Sequence, residues 1–381
     1  MVLLQIISLV KTKVIKITDD NITDAAREAA QAIQDGKLVG FPTETVYGIA
    51  VDATNFEAVA RLRDLKSRPE APFSLHLGTP GDLARYIKTE DLPLKASRLI
   101  ERSWPGPVTP LIKTPGHFAD DKLNQIEGLF ESLTMNGILG LRCPDELFTQ
   151  YMLSMAQCPV IAPSANLKGQ PSPRTGDDVL SQLDGKIDLL IDIGQTKYGQ
   201  DSSIVKFEGD EWSIVRQGVF NSAMLSRMMS RKIAFVCTGN TCRSPMAEGI
   251  AKVVLAKKYN CSVEQLQQKG IEVISAGAMA YDGDCATEEA EQSAKKYGAD
   301  ISEHRSMKLT PELLKTCDLV FCMTHSHLAM AEAMSQGSPP VITLLDNAGI
   351  PDPIGGSAEV YDQTAAAIES AILKHLENGK L

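Results

Sequence analysis

Beyond Lys232 the chain alternates short unbroken apolar runs with stretches whose apolar residues recur every three or four positions. The order is IAFVC, PMAEGIAKVVLAKKY, IEVISAG, ATEEAEQSAKKYG, LVFCM, SHLAMAEAMS and VITLL, with a closing helix from about Val360. Unbroken apolar runs suit strands buried on both faces and the longer period suits helices, so this half predicts a doubly wound parallel sheet flanked by helices. The N-terminal half opens its pattern with KLVGFPTETVYGIAVDA and mixes the two periods less regularly, which predicts an α/β domain on a mixed, twisted sheet. Between them, VRQGVFNSAMLSRMMSRK (Val215 to Lys232) leaves a strand-like run and turns rich in methionine, serine and arginine, as a connector or short linking helix does. The seam therefore falls near residues 220–230, with domains expected at 1–220 and 230–381. No repeat or low-complexity tract argues for a solenoid or a disordered arm.

A length of 381 residues fits two cores better than one. The apolar start MVLLQIISLV lacks a basic flank before it and a small-residue cleavage site after it, so it reads as a first strand or an untidy terminus rather than a secretory signal. No apolar segment reaches the ~20 residues of a bilayer span, and a cytoplasmic protein without a membrane partner is expected. Eight cysteines without a CxxC pair fit reduced thiols better than a disulfide framework or a zinc site, so no metal ligand set is expected. A net charge of -10 argues against a surface that coats nucleic acid, but leaves room for a local basic pocket.

Candidate chemistry concentrates in VCTGNTCRSPMAE, Val236 to Glu248. Cys237 ends a predicted buried strand, Arg243 follows it on a loop, and Pro245 suits the first turn of a helix. Such a loop turns backbone N–H groups toward an oxyanion at a helix N-terminus, and Arg243 adds a planar two-pronged grip. The same positive field favours the thiolate of Cys237, which makes it a nucleophile. Asp352, in PDPIGGS after the predicted strand VITLL, reaches the same end of the sheet and suits a general acid.

CTGNTCRSPMAE, SAG at Ser275–Gly277, HRS at His304–Ser306 and the late Asp352–Pro353, in that order, resemble the low-molecular-weight protein tyrosine phosphatase family. The resemblance implies a phosphocysteine on Cys237, phosphoryl oxygens held by Arg243, a loop of Thr238, Gly239, Asn240, Thr241, Cys242 and Ser244 with Asn240 and Ser244 ordering it, and protonation of the leaving group by Asp352. It implies no cofactor and phosphoproteins as partners. Cys242 reads either as small buried filler or, by the resemblance, as a thiol that traps the oxidised nucleophile in a disulfide. Thr241 stands where tyrosine-directed members carry a larger aliphatic residue, and the loop looks like that of bacterial protein arginine phosphatases. Ile354 stands where tyrosine-specific members tend to place an aromatic, so phosphoarginine is the expected substrate and phosphotyrosine the alternative. Arsenate reductases share the loop but relay through two further cysteines; here Cys317 and Cys322, at the edge of and within a predicted buried strand, read as packing.

The N-terminal half offers FPTETVYGIAVDA, KSRP at 66–69, WPGPVT, LRCP, APSANLKGQPSP and GQDSSIV. In isolation Lys66 and Arg68 read as solvated charges, and Ser164 and Asn166 as turn residues. In order, the stretches resemble the threonylcarbamoyl-AMP synthase family. The resemblance implies L-threonine, bicarbonate and ATP as substrates, with magnesium accompanying ATP, and a product used to modify adenosine 37 of tRNA, so that tRNA-modification proteins and tRNA are expected partners. It places Lys66, Arg68 and Arg216 on phosphates, Ser164 and Asn166 on adenylate or threonine, Arg142 on the amino-acid carboxylate, and Thr43, His76 and Ser202 at the small substrate. KSRPEAPFSLH is one residue shorter than the usual lysine-to-histidine spacing, which predicts a displaced His76. The later motifs read Asp201-Ser202-Ser203 and Arg216-Gln217-Gly218. A module binding nucleotide or double-stranded RNA, fused to a protein tyrosine phosphatase, is the alternative.

Overall fold

The computed structural model describes residues 11–68, 71–209, 211–335 and 340–379, so the opening MVLLQIISLV lies outside the described residues. The chain divides into two compact units, Met1–Met229 and Ser230–Leu381. The predicted connector is a helix, Ser222–Met229, whose Leu225 and Met229 are buried in the first unit's core.

The described strands of the first unit are β1 (Lys13–Lys16), β2 (Val39–Phe41), β3 (Gly48–Asp52), β4 (Leu75–His76), β5 (Val108–Lys113), β6 (Thr134–Met135), β7 (Ile138–Arg142), β8 (Val160–Ile161), β9 (Leu189–Asp192), β10 (Ser203–Glu208) and β11 (Glu211–Arg216). They join in one sheet in the order β1-β9-β2-β3-β8-β4-β7-β5-β10-β11, with β6 paired to β7. The sheet is mixed: β1 and β2 run parallel to β9, while β3 is antiparallel to both β2 and β8. Side chains of a strand alternate between faces, and here both faces are covered. Leu38, Ile49, Val51 and Leu190 enter one core cluster; Val39, Ala50, Leu189 and Ile191 enter the other, against helices Ile22–Gln34 and Leu147–Ala156. Ala25, Ala26, Ala29, Ala30 and Ala32 form the buried stripe of Ile22–Gln34, small enough to let that helix approach the sheet closely.

The second unit has four described strands, β12 (Arg231–Cys237), β13 (Ile271–Gly277), β14 (Leu319–Cys322) and β15 (Val341–Leu344), all parallel in the order β13-β12-β14-β15. Ala234, Val236, Val320 and Cys322 face a cluster that includes Leu314 and Ala331, from helices Pro311–Thr316 and His325–Met334. On the opposite face Phe235 stacks on Phe321 at 5.4 Å, and His375 of helix Ala358–Glu377 closes on Phe321 at 4.5 Å. This is the predicted doubly wound arrangement. Its strand order reverses at β12, and loops beyond the carboxyl ends there form the crevice in which open parallel sheets hold ligands. Among the described residues of both units, no helix is long and apolar enough to cross a membrane.

Candidate active sites

Cys237 closes β12, and helix Arg243–Lys258 begins six residues later with Pro245 in its first turn. The intervening loop is tied down by Asn240, which is fully buried with φ 58°. Its side-chain amide donates to Ser244 Oγ at 2.9 Å and Ser275 Oγ at 2.8 Å, and its Oδ1 accepts from the Met307 N–H at 2.8 Å. Its carbonyl accepts from His304 Nε2 at 2.8 Å. The SAG and HRS stretches noticed in the sequence thus meet at one asparagine. Gly277 is needed for the approach: a Cβ there would lie 2.7 Å from the Thr238 carbonyl and 2.6 Å from Ala280 Cβ.

The thiol is buried and stands 2.9 Å from Ser244 Oγ and 3.3 Å from the Asn240 N–H. A sulfur there can accept from both. Arg243 contacts Asp352 through Nη2, reaches Thr238 Oγ1 at 3.4 Å and donates to the Ile350 carbonyl at 3.3 Å. Thiol, guanidinium and carboxylate therefore converge on one mouth. Gly239 and Thr241 complete the loop between them. Cys242, also buried, lies 3.6 Å from both Thr287 Oγ1 and Tyr361 OH. Cys317 and Cys322 are buried in the core cluster, and burial pushes their thiols up to about 11 and about 12, as packing residues. Ile354, two residues past Asp352, is exposed; Tyr281 is exposed too, on the segment whose Met279 N–H donates to the Thr238 carbonyl at 2.9 Å. Tyr281 was not singled out in the sequence, where it sits in an acidic loop without periodicity.

In the first unit one cavity of about 680 Å³ is lined by all nine residues named from the sequence: Thr43, Lys66, Arg68, His76, Arg142, Ser164, Asn166, Ser202 and Arg216. Lys168 and Lys206 also line it, so that among the described residues six cations face the one carboxylate of Asp201. This acidic chain thus carries a strongly positive hollow.

Local folding explains the convergence. Helix Phe56–Lys66 starts on an Asn55 cap and stops at Ser67 in the left-handed region (φ 48°), which leaves Lys66 in the last turn. Its ammonium donates to the carbonyls of Ser164 and Asn166 and, at 2.9 Å, to Asn166 Oδ1. Burial, reinforced by Arg68, pushes Lys66 down to about 8. His76 and Arg142 are register partners on β4 and β7, so both face the hollow despite the shortened spacing. Burial and then Arg142 push the imidazole down to about 3. His76 is neutral, and because Nδ1 lies 3.0 Å from the Ser74 carbonyl, Nδ1 carries the proton and Nε2 accepts.

Arg142 donates to Glu44 Oε1 at 3.0 Å and Thr45 Oγ1 at 2.6 Å, and its buried Nε has no partner among the described residues. Glu44 was missed from the sequence, since only the fold brings it to Arg142. The β10–β11 hairpin returns Arg216 to Ser202, with Nε on the carbonyl at 3.1 Å and Nη2 on the hydroxyl at 3.0 Å. Gly218, just past the end of β11, passes so close to the segment before β10 that a Cβ would lie 2.2 Å from the Asp201 carbonyl.

A thiol, an arginine and a carboxylate around an oxyanion loop on a parallel sheet are the parts of a cysteine-dependent phosphatase. A cation-lined hollow on a mixed sheet is the kind of site that takes a nucleotide and a small acid. The family model described as telomere recombination matches residues 31–218, and that described as low molecular weight phosphotyrosine protein phosphatase matches residues 232–380. The threonylcarbamoyl-AMP synthase of Vibrio parahaemolyticus is 30% identical over 197 residues, 51% of this chain and 100% of its own length. The protein-arginine-phosphatase of Bacillus subtilis is 35% identical over 146 residues, 37% of this chain and 91% of its own. The chain therefore belongs to the threonylcarbamoyl-AMP synthase family through its first unit and to the low-molecular-weight phosphatase family through its second. It spans about half the length of other curated synthases it matches, 51% and 57%. The solved structure of a Sua5 variant from Pyrococcus abyssi aligns with 70% of this chain and 91% of its own, with a TM-score of 0.50 and 23% identity, a likeness of fold.

Proposed function

We propose that the chain is a bifunctional enzyme, making L-threonylcarbamoyl-adenylate in its first unit and removing phosphoryl groups from protein arginine side chains in its second. The convergence of nine named residues on one positive hollow carries the first half. Threonine carbamylated by bicarbonate attacks the α-phosphate of ATP through a carbamate oxygen and displaces pyrophosphate. Lys66, Arg68 and Arg216 neutralise the phosphates, while the unpartnered Nε of Arg142 gives the amino-acid carboxylate a place to bind. Magnesium enters with the ATP phosphates as part of the substrate: the described residues give the hollow one carboxylate and hold no cluster of three metal-ligating side chains. The adenylate then serves partner proteins that modify adenosine 37 of tRNA. Pyrophosphate release that requires threonine, ATP and bicarbonate together is the expected result; ATP binding without release would reduce this unit to a binding module.

In the second unit Cys237 attacks phosphorus, Arg243 and the loop amides of Thr238 to Ser244 hold the oxygens, and Asp352 gives its proton to the departing nitrogen. Water then releases phosphate from the thiol. Thr241 supports phosphoarginine: half-buried, with Oγ1 3.7 Å from Cys242 Sγ, it keeps a hydroxyl beside the loop where an isoleucine would place a bulkier apolar group. Tyr281, exposed on the neighbouring segment, favours aryl phosphates as the second reading. The ratio of rates on phosphoarginine and phosphotyrosine decides between them. Thr241→Ile should lower phosphoarginine hydrolysis roughly tenfold, the equivalent of about 1.4 kcal/mol, and spare phosphotyrosine. A wild type that prefers phosphotyrosine, or an unchanged ratio in the variant, overturns the arginine assignment.

A further inference from the structure

A buried histidine that the chemistry above does not use stands behind the phosphate loop. His327, on helix His325–Met334, is 4% exposed, with Nε2 2.9 Å from Thr238 Oγ1 and Nδ1 2.9 Å from Thr324 Oγ1. Thr238 directly follows the nucleophile, and its hydroxyl is also 3.4 Å from Arg243 Nη2. A guanidinium only donates, so the Thr238 oxygen accepts from Arg243 and keeps its second lone pair and its own hydrogen for His327 Nε2. The other ring nitrogen anchors the imidazole on Thr324 Oγ1, and the Thr324 hydroxyl in turn lies 2.8 Å from Ser326 Oγ.

We propose that His327 is a positioning residue of the phosphatase site: as its hydrogen-bond partner it fixes the Thr238 hydroxyl, and through it the plane of the Arg243 guanidinium that grips the transferred phosphoryl group. The inference rests on the phosphatase reading of this unit. The charge state agrees, since burial, with Arg243 adding to it and Asp352 opposing, pushes the imidazole down to about 4 and keeps it neutral near pH 7. Without that partner, the Thr238 hydroxyl rotates elsewhere and Arg243 loses one of the oxygens that hold it. A guanidinium free to tilt loses part of its two-pronged contact with the oxyanion, so substrate turnover and affinity for a bare oxyanion fall together.

The test uses the full chain, with p-nitrophenyl phosphate as substrate and inorganic phosphate as competitive inhibitor. His327→Gln keeps an acceptor near Nε2 and should retain kcat/KM within about threefold of the wild type. His327→Asn keeps polarity near Nδ1 only, and should lose about tenfold in kcat/KM and raise the inhibition constant for phosphate several-fold. Thr238→Val removes the hydroxyl at the exposed end of the chain and should match His327→Asn. The double variant should be no worse than the worse single, as coupled partners require. Equal effects of glutamine and asparagine, multiplicative loss in the double variant, or an unchanged phosphate constant would overturn the assignment. Inactive wild type would instead remove the phosphatase reading beneath it.

Discussion

Asn240→Ala is the most informative single perturbation of the phosphate loop, because that residue carries both its hydrogen bonding and its backbone strain. Three side-chain hydrogen bonds of 2.8–2.9 Å vanish, leaving the Met307 N–H and two serine hydroxyls without this partner. An unpaired buried group costs about 1–3 kcal/mol. Alanine at φ 58° adds roughly 1 kcal/mol, a left-handed conformation that asparagine tolerates and glycine adopts freely. The sum is about 2–4 kcal/mol of destabilisation in the second unit, with Asn240→Gly less damaging than alanine by roughly 1 kcal/mol although it loses the same hydrogen bonds. Activity should fall by about a hundredfold in both, since neither holds the loop shape. Both tryptophans, Trp104 and Trp212, lie in the first unit, so urea unfolding read by tryptophan fluorescence serves as an internal control while far-UV circular dichroism follows the whole chain. The shift should be confined to the dichroism signal. Alanine within 0.5 kcal/mol of wild type, or alanine and glycine equal, would refute the reasoning.

Asp352→Asn should slow phosphoprotein hydrolysis far more than p-nitrophenyl phosphate, whose leaving group needs little protonation; equal slowing in steady-state assays would give Asp352 a structural role. Lys66, held at about 8 by burial and Arg68, loses its charge as pH rises through that value, so kcat/KM for ATP in pyrophosphate release should fall above about pH 8; a flat profile to pH 9.5 would remove Lys66 from phosphate binding. Glu44→Gln should raise the KM for threonine several-fold with little change for ATP, because Glu44 sets Arg142; equal changes for both substrates would count against that role.

The parallel sheet was legible because its central strands, Arg231–Cys237 and Leu319–Cys322, carry unbroken apolar runs buried on both faces, with longer-period helical stretches between the strands. The mixed sheet was not, for physical reasons visible in its smallest strands. Leu75–His76 and Val160–Ile161 are two residues long, too short for any periodicity, and tertiary pairing alone makes them strands. Lys13–Lys16 is an edge strand with mostly exposed side chains, so it carries no apolar signal. The hollow was legible through its motifs, yet Glu44 and Lys206 are not among the residues singled out, and only the fold brings Glu44 to Arg142 and Lys206 to the cavity wall. His327 sat in what looked like a simple amphipathic helix. Its partner Thr238 lies 89 positions earlier, a distance across which sequence pattern says nothing.

The two proposed activities, each assigned to its own unit, can be tested in one paired measurement. Cys237→Ser and Lys66→Ala are prepared as full chains beside the wild type, and each is assayed for threonine-dependent pyrophosphate release and for phosphoarginine hydrolysis. Cys237→Ser should lose hydrolysis and keep pyrophosphate release near the wild-type rate, while Lys66→Ala should do the reverse. A well-folded variant that loses both activities, or a wild type that lacks either, would contradict the account.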